Sequence, residues 1–568
     1  MTSPASQDIS RTRRVMAESL LGRDKPWSIG AIALSALLSL PILAVVVLGF
    51  TASEDIWRHL ASTVLPTSAA NTLLLLAGAG FFTAMIGTVA AWLVTMYRFP
   101  GREIADRLLV LPLAMPAYIV AYAYVELLDY AGPVQSALRQ LFGFTSPNEY
   151  VFPQVRSLYG AIGIFSAVLY PYVYLSARAS FVQQSVCVLE VARTLGRTAA
   201  GSFWSIALPM ARPALAAGIA LVLMECLNDL GAVQYLGVET LSASVYATWL
   251  QRGNLPGAAQ IATVMLLLIF ALLLAERLAR GDGGVHNSTG RYRPIPFEVL
   301  KGWRAALAFV LVLMPFVAGF LIPFLLLFNT AITHLADGLT PDFFKAAWNS
   351  LVLAGLASAV AVALALYFGY ALRMGQGTLT AASARIASLG YALPGTVLAV
   401  GILGPLAATD NAIDGWMRAT FGVSTGLLLS GTLFAVILAL VIRFLAVALG
   451  AIEAGLERIS PNLDAAARTL GAGSWVMLVR IHLPMLAPAA GAAALLVFVD
   501  AMKELPATLL LRPFNFETLA THIYGLTAAE QFEAATVGAV TIVLIGLLPV
   551  LLLHQTIAKG RAGSSASG

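Results

Sequence analysis

The chain has 568 residues, of which 59% are hydrophobic and 11% charged, and its mean hydropathy is +0.83. Soluble domains carry about 25% charged residues, so this composition excludes a soluble globular protein and implies an integral membrane protein. The formal charge of +5 matters less than where the charges fall, and two cysteines, Cys187 and Cys226, define no disulfide framework.

Residues 1–28 are a polar tail with Arg11, Arg13, Arg14, Arg23 and Lys25, followed by an apolar run at 29–50. The run exceeds the roughly 7–15-residue core of a cleaved signal peptide and reads as a retained first span. Crossing about 30 Å of hydrocarbon takes roughly 20 residues. Segments of that length follow near 71–96, 106–128, 158–182, 210–232 and 257–278. A charged linker at 279–304 separates this first half (29–278) from a second (305–557), and residues 558–568 form a tail. The second half has spans near 305–329, 349–372, 386–407, 424–449, 485–505 and 534–557. The expectation is an all-α polytopic membrane protein of about twelve transmembrane helices.

With the N-terminus placed in the cytoplasm, segments on its side hold 26 of the 34 Lys and Arg. The other side holds Arg58, Arg139, Arg156, Arg252, Lys345, Arg418 and Arg512, and Lys503 lies inside a span. The positive-inside bias therefore predicts two cytoplasmic termini.

The halves repeat each other. Arg193-Thr194-Leu195-Gly196 matches Arg468-Thr469-Leu470-Gly471 at a shift of 275 residues, as Ile206, Leu208, Pro209 and Pro213 match Ile481, Leu483, Pro484 and Pro488. Asn71-Thr72-Leu73 matches Asn349-Ser350-Leu351 at 278, as do Pro116 and Pro394, Glu239-Thr240 and Glu517-Thr518, and Tyr246 and Tyr524. Six spans per half is an even number, so the halves are parallel, pseudo-symmetric repeats about the membrane normal, and both repeated loops face the cytoplasm. In the first loop Glu190 to Leu195 suits a short helix, Gly196 a turn, and Ser202 to Leu208 a second helix ahead of Pro209.

The pattern Glu-Ala-Ala, three residues, Gly, nine residues, Ile-x-Leu-Pro resembles the coupling loop (EAA motif) of permease subunits of ATP-binding-cassette importers. The first copy fits at Glu190, Ala192, Gly196, Ile206, Leu208 and Pro209, and the second at Ala466, Ala467, Gly471, Ile481, Leu483 and Pro484. Ala465 stands where the second copy should have Glu, and Asp464, one residue earlier, is the candidate substitute carboxylate. The resemblance implies a type I importer permease fold, two copies of a separate ATPase subunit that carry the ATP and Mg, and a periplasmic substrate-binding protein. It also implies a bacterial inner-membrane location and no cofactor on this chain. None of the five lysines follows a glycine, so no Walker motif exists here to cradle ATP. Neither enzymatic activity nor nucleic-acid binding is expected.

The span after each loop carries acids, Glu225 and Asp229 in the first half and Asp500 and Glu504, with Lys503, in the second. Each i, i+4 pair is expected to share a helix face. Ionisable groups in a span usually face protein or a water-filled path, so these five are candidates for a translocation path or gate, with an ion pair involving Lys503 and Glu504 as the structural alternative. The text from Lys503 to Tyr524, and Asn228 to Leu250 in the first half, is similar to fused permeases for ferric iron, which implies iron as cargo. Other small solutes (thiamine, a polyamine, a phosphonate), an ion-coupled secondary transporter and a transport-inactive scaffold are the alternatives. Six scattered histidines give no fixed metal site. Tyr118, Tyr122 and Tyr124 read as packing rather than pore lining, and Arg178 and Arg443 as residues snorkelling at cytoplasmic span ends.

Overall fold

The computed structural model describes residues 25–51, 56–183, 199–280, 298–375 and 377–559. Among them, 11 helices are long and apolar enough to cross a membrane, or up to 12 if one sharply bent pair is a single span. The described residues are all-α apart from one parallel pairing of Tyr97–Arg98 (β1) with Glu298–Val299 (β2).

In chain order the principal helices are α1 (Lys25–Gly49), α2 (Leu65–Met96), α3 (Arg102–Leu108), α4 (Ala117–Leu128), α5 (Pro133–Phe142), α6 (Leu158–Gln183), α7 (Leu208–Asn228), α8 (Gly231–Tyr235) and α9 (Leu255–Arg280). After β2 come α10 (Trp303–Phe316), α11 (Ile322–Thr333), α12 (Pro341–Gly375), α13 (Gly395–Phe421), α14 (Leu433–Glu457), α15 (Pro461–Thr469), α16 (Ser474–Met477), α17 (Leu483–Met502), α18 (Pro506–Leu511) and α19 (Phe532–Lys559).

Proline shapes several of these spans. Wide π turns at Leu60–Val64, Phe203–Ala207, Val317–Leu321 and Leu478–His482 each end one residue before a Leu-Pro or Ile-Pro step. The residue ahead of the proline donates its N–H five residues back, as Leu208 does to Phe203 and Leu483 to Leu478. Proline has no N–H to offer and its ring crowds the carbonyl four residues earlier, so the widened turn lets the helix continue. The spans expected from 210 and 485 consequently start earlier, at Phe203 and Ser474.

Further expected boundaries move. The span placed at 106–128 is broken at Met115-Pro116, where Arg102–Ala114 and Ala117–Phe142 meet at 96°. The span placed at 386–407 begins after Pro394 and runs to Phe421. The one placed at 424–449 starts only at Leu433. Two carboxylates on α13 hold the intervening segment as a loop. Asp410 accepts from Leu429 N–H at 2.9 Å, Ser430 N–H at 2.7 Å and Ser430 Oγ at 2.6 Å. Asp414 accepts from Thr425 N–H and Ser424 Oγ, both at 2.8 Å. Backbone already bonded to a side chain is not available to a helix.

The chain forms two compact units. One comprises Met1–Ala52, Ala258–Thr263 and Phe344–Thr521; the other Ser53–Gly257, Val264–Phe343 and His522–Gly568. Each contains the opening helix of the other sequence half. In the first unit α1 packs on α13 and on the helix Thr378–Ser388; Gly401 faces the Pro41 carbonyl so closely that no Cβ would fit. In the second, α2 packs on α6, Gly319 meets the Ala167 carbonyl in the same way, and Tyr124 Oη donates to the Ala318 carbonyl at 2.6 Å. Glycine lets backbones approach where lipid supplies no hydrophobic drive for helix association.

The sequence repeat reappears as repeated hydrogen bonds. Asn71 Nδ2 donates to the Glu239 carbonyl at 3.1 Å and Asn349 Nδ2 to the Glu517 carbonyl at 2.9 Å. Thr72 Oγ1 accepts from Leu241 N–H at 3.0 Å, and Ser350 Oγ from Leu519 N–H at 2.7 Å.

Gly401→Val should lower the thermal midpoint of the purified protein by an overpacking cost of about 1–3 kcal/mol. Gly450→Val, whose Cβ would meet nothing within 4 Å, should shift it far less in the same differential scanning fluorimetry series.

Candidate functional site

The second repeated loop is a helix, a turn and a helix, the plan read from the sequence of its first copy. Ser460 caps α15, its Oγ accepting from Asn462 N–H at 3.3 Å, and Pro461 occupies a first-turn position that needs no N–H. The helix ends in a Schellman motif: Ala472 N–H donates to the Ala467 carbonyl and Gly471 N–H to the Arg468 carbonyl, both at 3.0 Å. Gly471 has φ +79°, a conformation that costs other residues roughly 1–2 kcal/mol.

The motif residues divide by direction. Ala467, Met477 and Leu478 are buried with Tyr370 and Met374 of α12, and Trp27, Ile481 and Leu483 pack against this cluster. Tyr370 Oη donates to the Ser474 carbonyl. Leu463, Leu470, Trp475, Val476 and Val479 are exposed, giving the loop an apolar outer face. Pro484 is exposed on the first turn of α17.

Asp464 turns inward. Its Oδ2 accepts from Arg373 Nε and its Oδ1 faces His482 Nε2, each at 2.8 Å. Arg373 also donates to the Leu456 carbonyl at 2.7 Å and the Ile459 carbonyl at 3.0 Å. Burial works to raise the Asp464 carboxyl, but the bonds from Arg373 and His482 outweigh it and hold the group below the ordinary aspartate range. His482 is fully buried.

Glu190, Ala192 and Gly196 of the first loop lie outside the described residues. Ile206, Leu208 and Pro209 are half-buried around a π turn, Phe203–Ala207, that matches Leu478–His482 at the repeat shift.

The intramembrane acids are arranged differently from the expected shared helix faces. α17 stops at Met502, so Asp500 and Glu504 diverge. Asp500 pairs with Lys503 at 2.9 Å, whereas Glu504 turns into protein. Its Oε1 accepts from Arg443 Nη1 at 3.0 Å and Ala507 N–H at 2.8 Å; its Oε2 accepts from Thr508 N–H at 3.0 Å and Thr508 Oγ1 at 2.7 Å. Glu504 thus caps α18 at a helix break, and Gly395 leaves the room, since a Cβ there would crowd Glu504 Oε1 and Ala507 N. In the first half α7 stops at Asn228, and half-buried Asp229 caps α8, accepting from Ala232 N–H at 2.7 Å. Glu225 is half-buried on α7.

Arg443 is therefore no snorkelling residue. It lies mid-way along α14, 7% exposed, because the helix starts later than its apolar run suggests. Arg178 is also fixed inside protein, pairing with Asp106 at 2.7 Å beside Tyr174. Tyr118 and Tyr122 are buried, their rings 5.7 Å apart. Sequence reading missed Arg373, His482 and Gly395. The one local signal was Arg373's charge at the end of an apolar run; the other two depend on long-range partners.

The family model described as "Binding-protein-dependent transport system inner membrane component" matches residues 83–281 and again 366–561. The chain is 27% identical over 491 residues, 85% of its length and 89% of the relative's, to the Fe(3+)-transport system permease protein FbpB 2 of Haemophilus influenzae. It is 30% identical over 259 residues to the sulfate transport system permease protein CysT of Escherichia coli, covering 43% of this chain and 89% of that protein. A putative 2-aminoethylphosphonate transport system permease protein of Salmonella paratyphi A is 29% identical over 209 residues, 36% of this chain and 70% of that protein.

Arg443→Met should destabilise the protein by about 3–5 kcal/mol by stranding the Glu504 charge, and Arg443→Met with Glu504→Gln should recover most of that in a double-mutant cycle of thermal unfolding. Gly471→Ala should accelerate hydrogen exchange across 465–473, while Gly473→Ala, at φ −72°, should not. Because the Asp464 carboxyl is lowered in the folded state, its contribution is complete above the unfolded value of about 3.9 and lost as pH falls through the lower folded one. Exchange protection of α15, corrected for intrinsic rates, should accordingly fall as the pH is lowered below the unfolded value of about 3.9.

Proposed function

The chain is a member of the binding-protein-dependent transport system inner membrane component family, and from that premise we propose that it is the permease of an ATP-driven ferric iron importer. The observation carrying the iron reading is similarity along 85% of the chain to a relative named for Fe(3+) transport. In this reading a periplasmic binding protein delivers the ion, and two copies of an ATPase subunit, holding the ATP and Mg, dock on the two cytoplasmic loops. The chain itself binds no cofactor and hydrolyses nothing. It lies in a bacterial inner membrane with both termini cytoplasmic, the orientation favoured by 26 of its 34 Lys and Arg.

The exposed Leu463, Leu470, Trp475, Val476 and Val479 support docking at the second loop, since exposed apolar patches mark interaction sites. Glu190, Ala192 and Gly196 have the corresponding role in the first. For the path, Glu225, Asp229, Asp500 and Lys503 remain the candidates on the spans that follow the loops, whereas Glu504 serves Arg443 and α18. The sulfate and phosphonate relatives, matching over 43% and 36% of this chain, make an oxyanion the second reading; acids in the path disfavour it by like-charge repulsion.

The test is reconstitution in liposomes with the ATPase and the binding protein. Ferric uptake should require ATP and survive collapse of the membrane potential, and the purified chain alone should hydrolyse no ATP. Uptake of sulfate instead of iron would reassign the cargo, and uptake abolished by collapsing the potential would mark a secondary transporter.

A further inference from the structure

The Asp464 network joins four elements, α12 and the successive α14, α15 and the π turn leading into α17. Arg373, in the last turn of α12, reaches the α15 carboxylate and two carbonyls, Leu456 and Ile459, at the end of α14. His482 reaches the same carboxylate from the π turn that leads into α17. The Asp464 and Arg373 side chains are each 13% exposed, and the His482 side chain is wholly buried. Both carboxylate oxygens already have partners on the inner side of the loop, while the loop's outer face is apolar.

The repeat lacks all three residues in its other copy. At the shifts that align the halves, Asp464 corresponds to Leu189, His482 to Ala207 and Arg373 to Thr95, none of which can form an ion pair.

We propose that Arg373 and His482 are positioning residues that, through Asp464, staple the second loop to α12, α14 and α17, so that this loop moves as one rigid body with its membrane helices. Asp464 is then an internal strut and does not replace the missing Glu as a contact to the ATPase. A charge-assisted bond is about twice as strong as a neutral one, and the planar guanidinium of Arg373 fixes direction as well as distance. This inference rests on the proposed docking of ATPases at the loops only for its consequence in transport, not for the staple itself.

The experiment uses Asp464→Asn and Arg373→Gln in the full chain, with Asp464→Glu as the conservative variant. Spin labels at Leu470 and at Val360 on α12, both exposed, report the loop's distance distribution in the purified chain without any ATPase. The distribution should broaden by about twofold in Asp464→Asn and Arg373→Gln, with Asp464→Glu in between. An unchanged width overturns the staple. In the reconstituted complex the same variants should keep ATPase binding and hydrolysis while transport per ATP falls by roughly tenfold, as expected when a supporting shell is loosened. Weakened ATPase binding at unchanged width would make Asp464 a docking contact instead. If no ATP-driven uptake occurs even with the unaltered chain, the importer reading fails and the label distances still decide the staple.

Discussion

A polar backbone in hydrocarbon must find its hydrogen bonds within the protein, and the architecture of this chain depends on how it does so wherever a helix stops. Glu504 meets the free N–H groups of α18 and Asp229 that of α8. Asn71 and Asn349 each donate to a carbonyl, and Thr72 and Ser350 each accept an N–H, on the segment that follows such a break. Asp410 and Asp414 hold the loop that delays α14. Polar residues that look anomalous in apolar text are thus mostly the means by which interrupted helices remain compatible with lipid.

The same demand separates residues that resemble one another in sequence. Asp500 and Glu504 differ in environment because a helix terminus falls between them. One pairs with a neighbouring lysine, half-exposed; the other is committed to a buried arginine and three further donors. Duplication preserved the capping function at Asp229 and Glu504, and Glu504 adds a pairing with buried Arg443. The two repeats share backbone solutions more faithfully than they share electrostatics.

The fold is legible in the sequence where local chemistry is decisive. Apolar runs of sufficient length located most of the spans, and the ungapped matches fall on residues that make the same hydrogen bonds in both halves. It is least legible where the outcome depends on a remote partner. Residues 424–432 adjoin a strongly apolar run and read as its start, but their bonds to Asp410 and Asp414, with Gly426 and Gly431 at positive φ, make them a loop. That shift of the helix start moved Arg443 from a supposed span end to the middle of α14 and changed its role from snorkelling to pairing. Arg373 and His482 carry no motif at all; their meaning lies in a carboxylate reached across 91 and 18 residues.

The exchange of opening helices between the two units bears on how the protein is made. α1 is synthesised first, but its partners in α13 and the helix Thr378–Ser388 emerge only after the whole first half. At about 5–20 residues per second it waits in the bilayer for on the order of tens of seconds. It is suited to that interval: its mean hydropathy over the spanning window is 2.7, and beyond Lys25 it carries no charge that lipid would reject. Completion of the first unit is therefore a late event in biogenesis, and each half of the polypeptide supplies a helix that the other half's core requires.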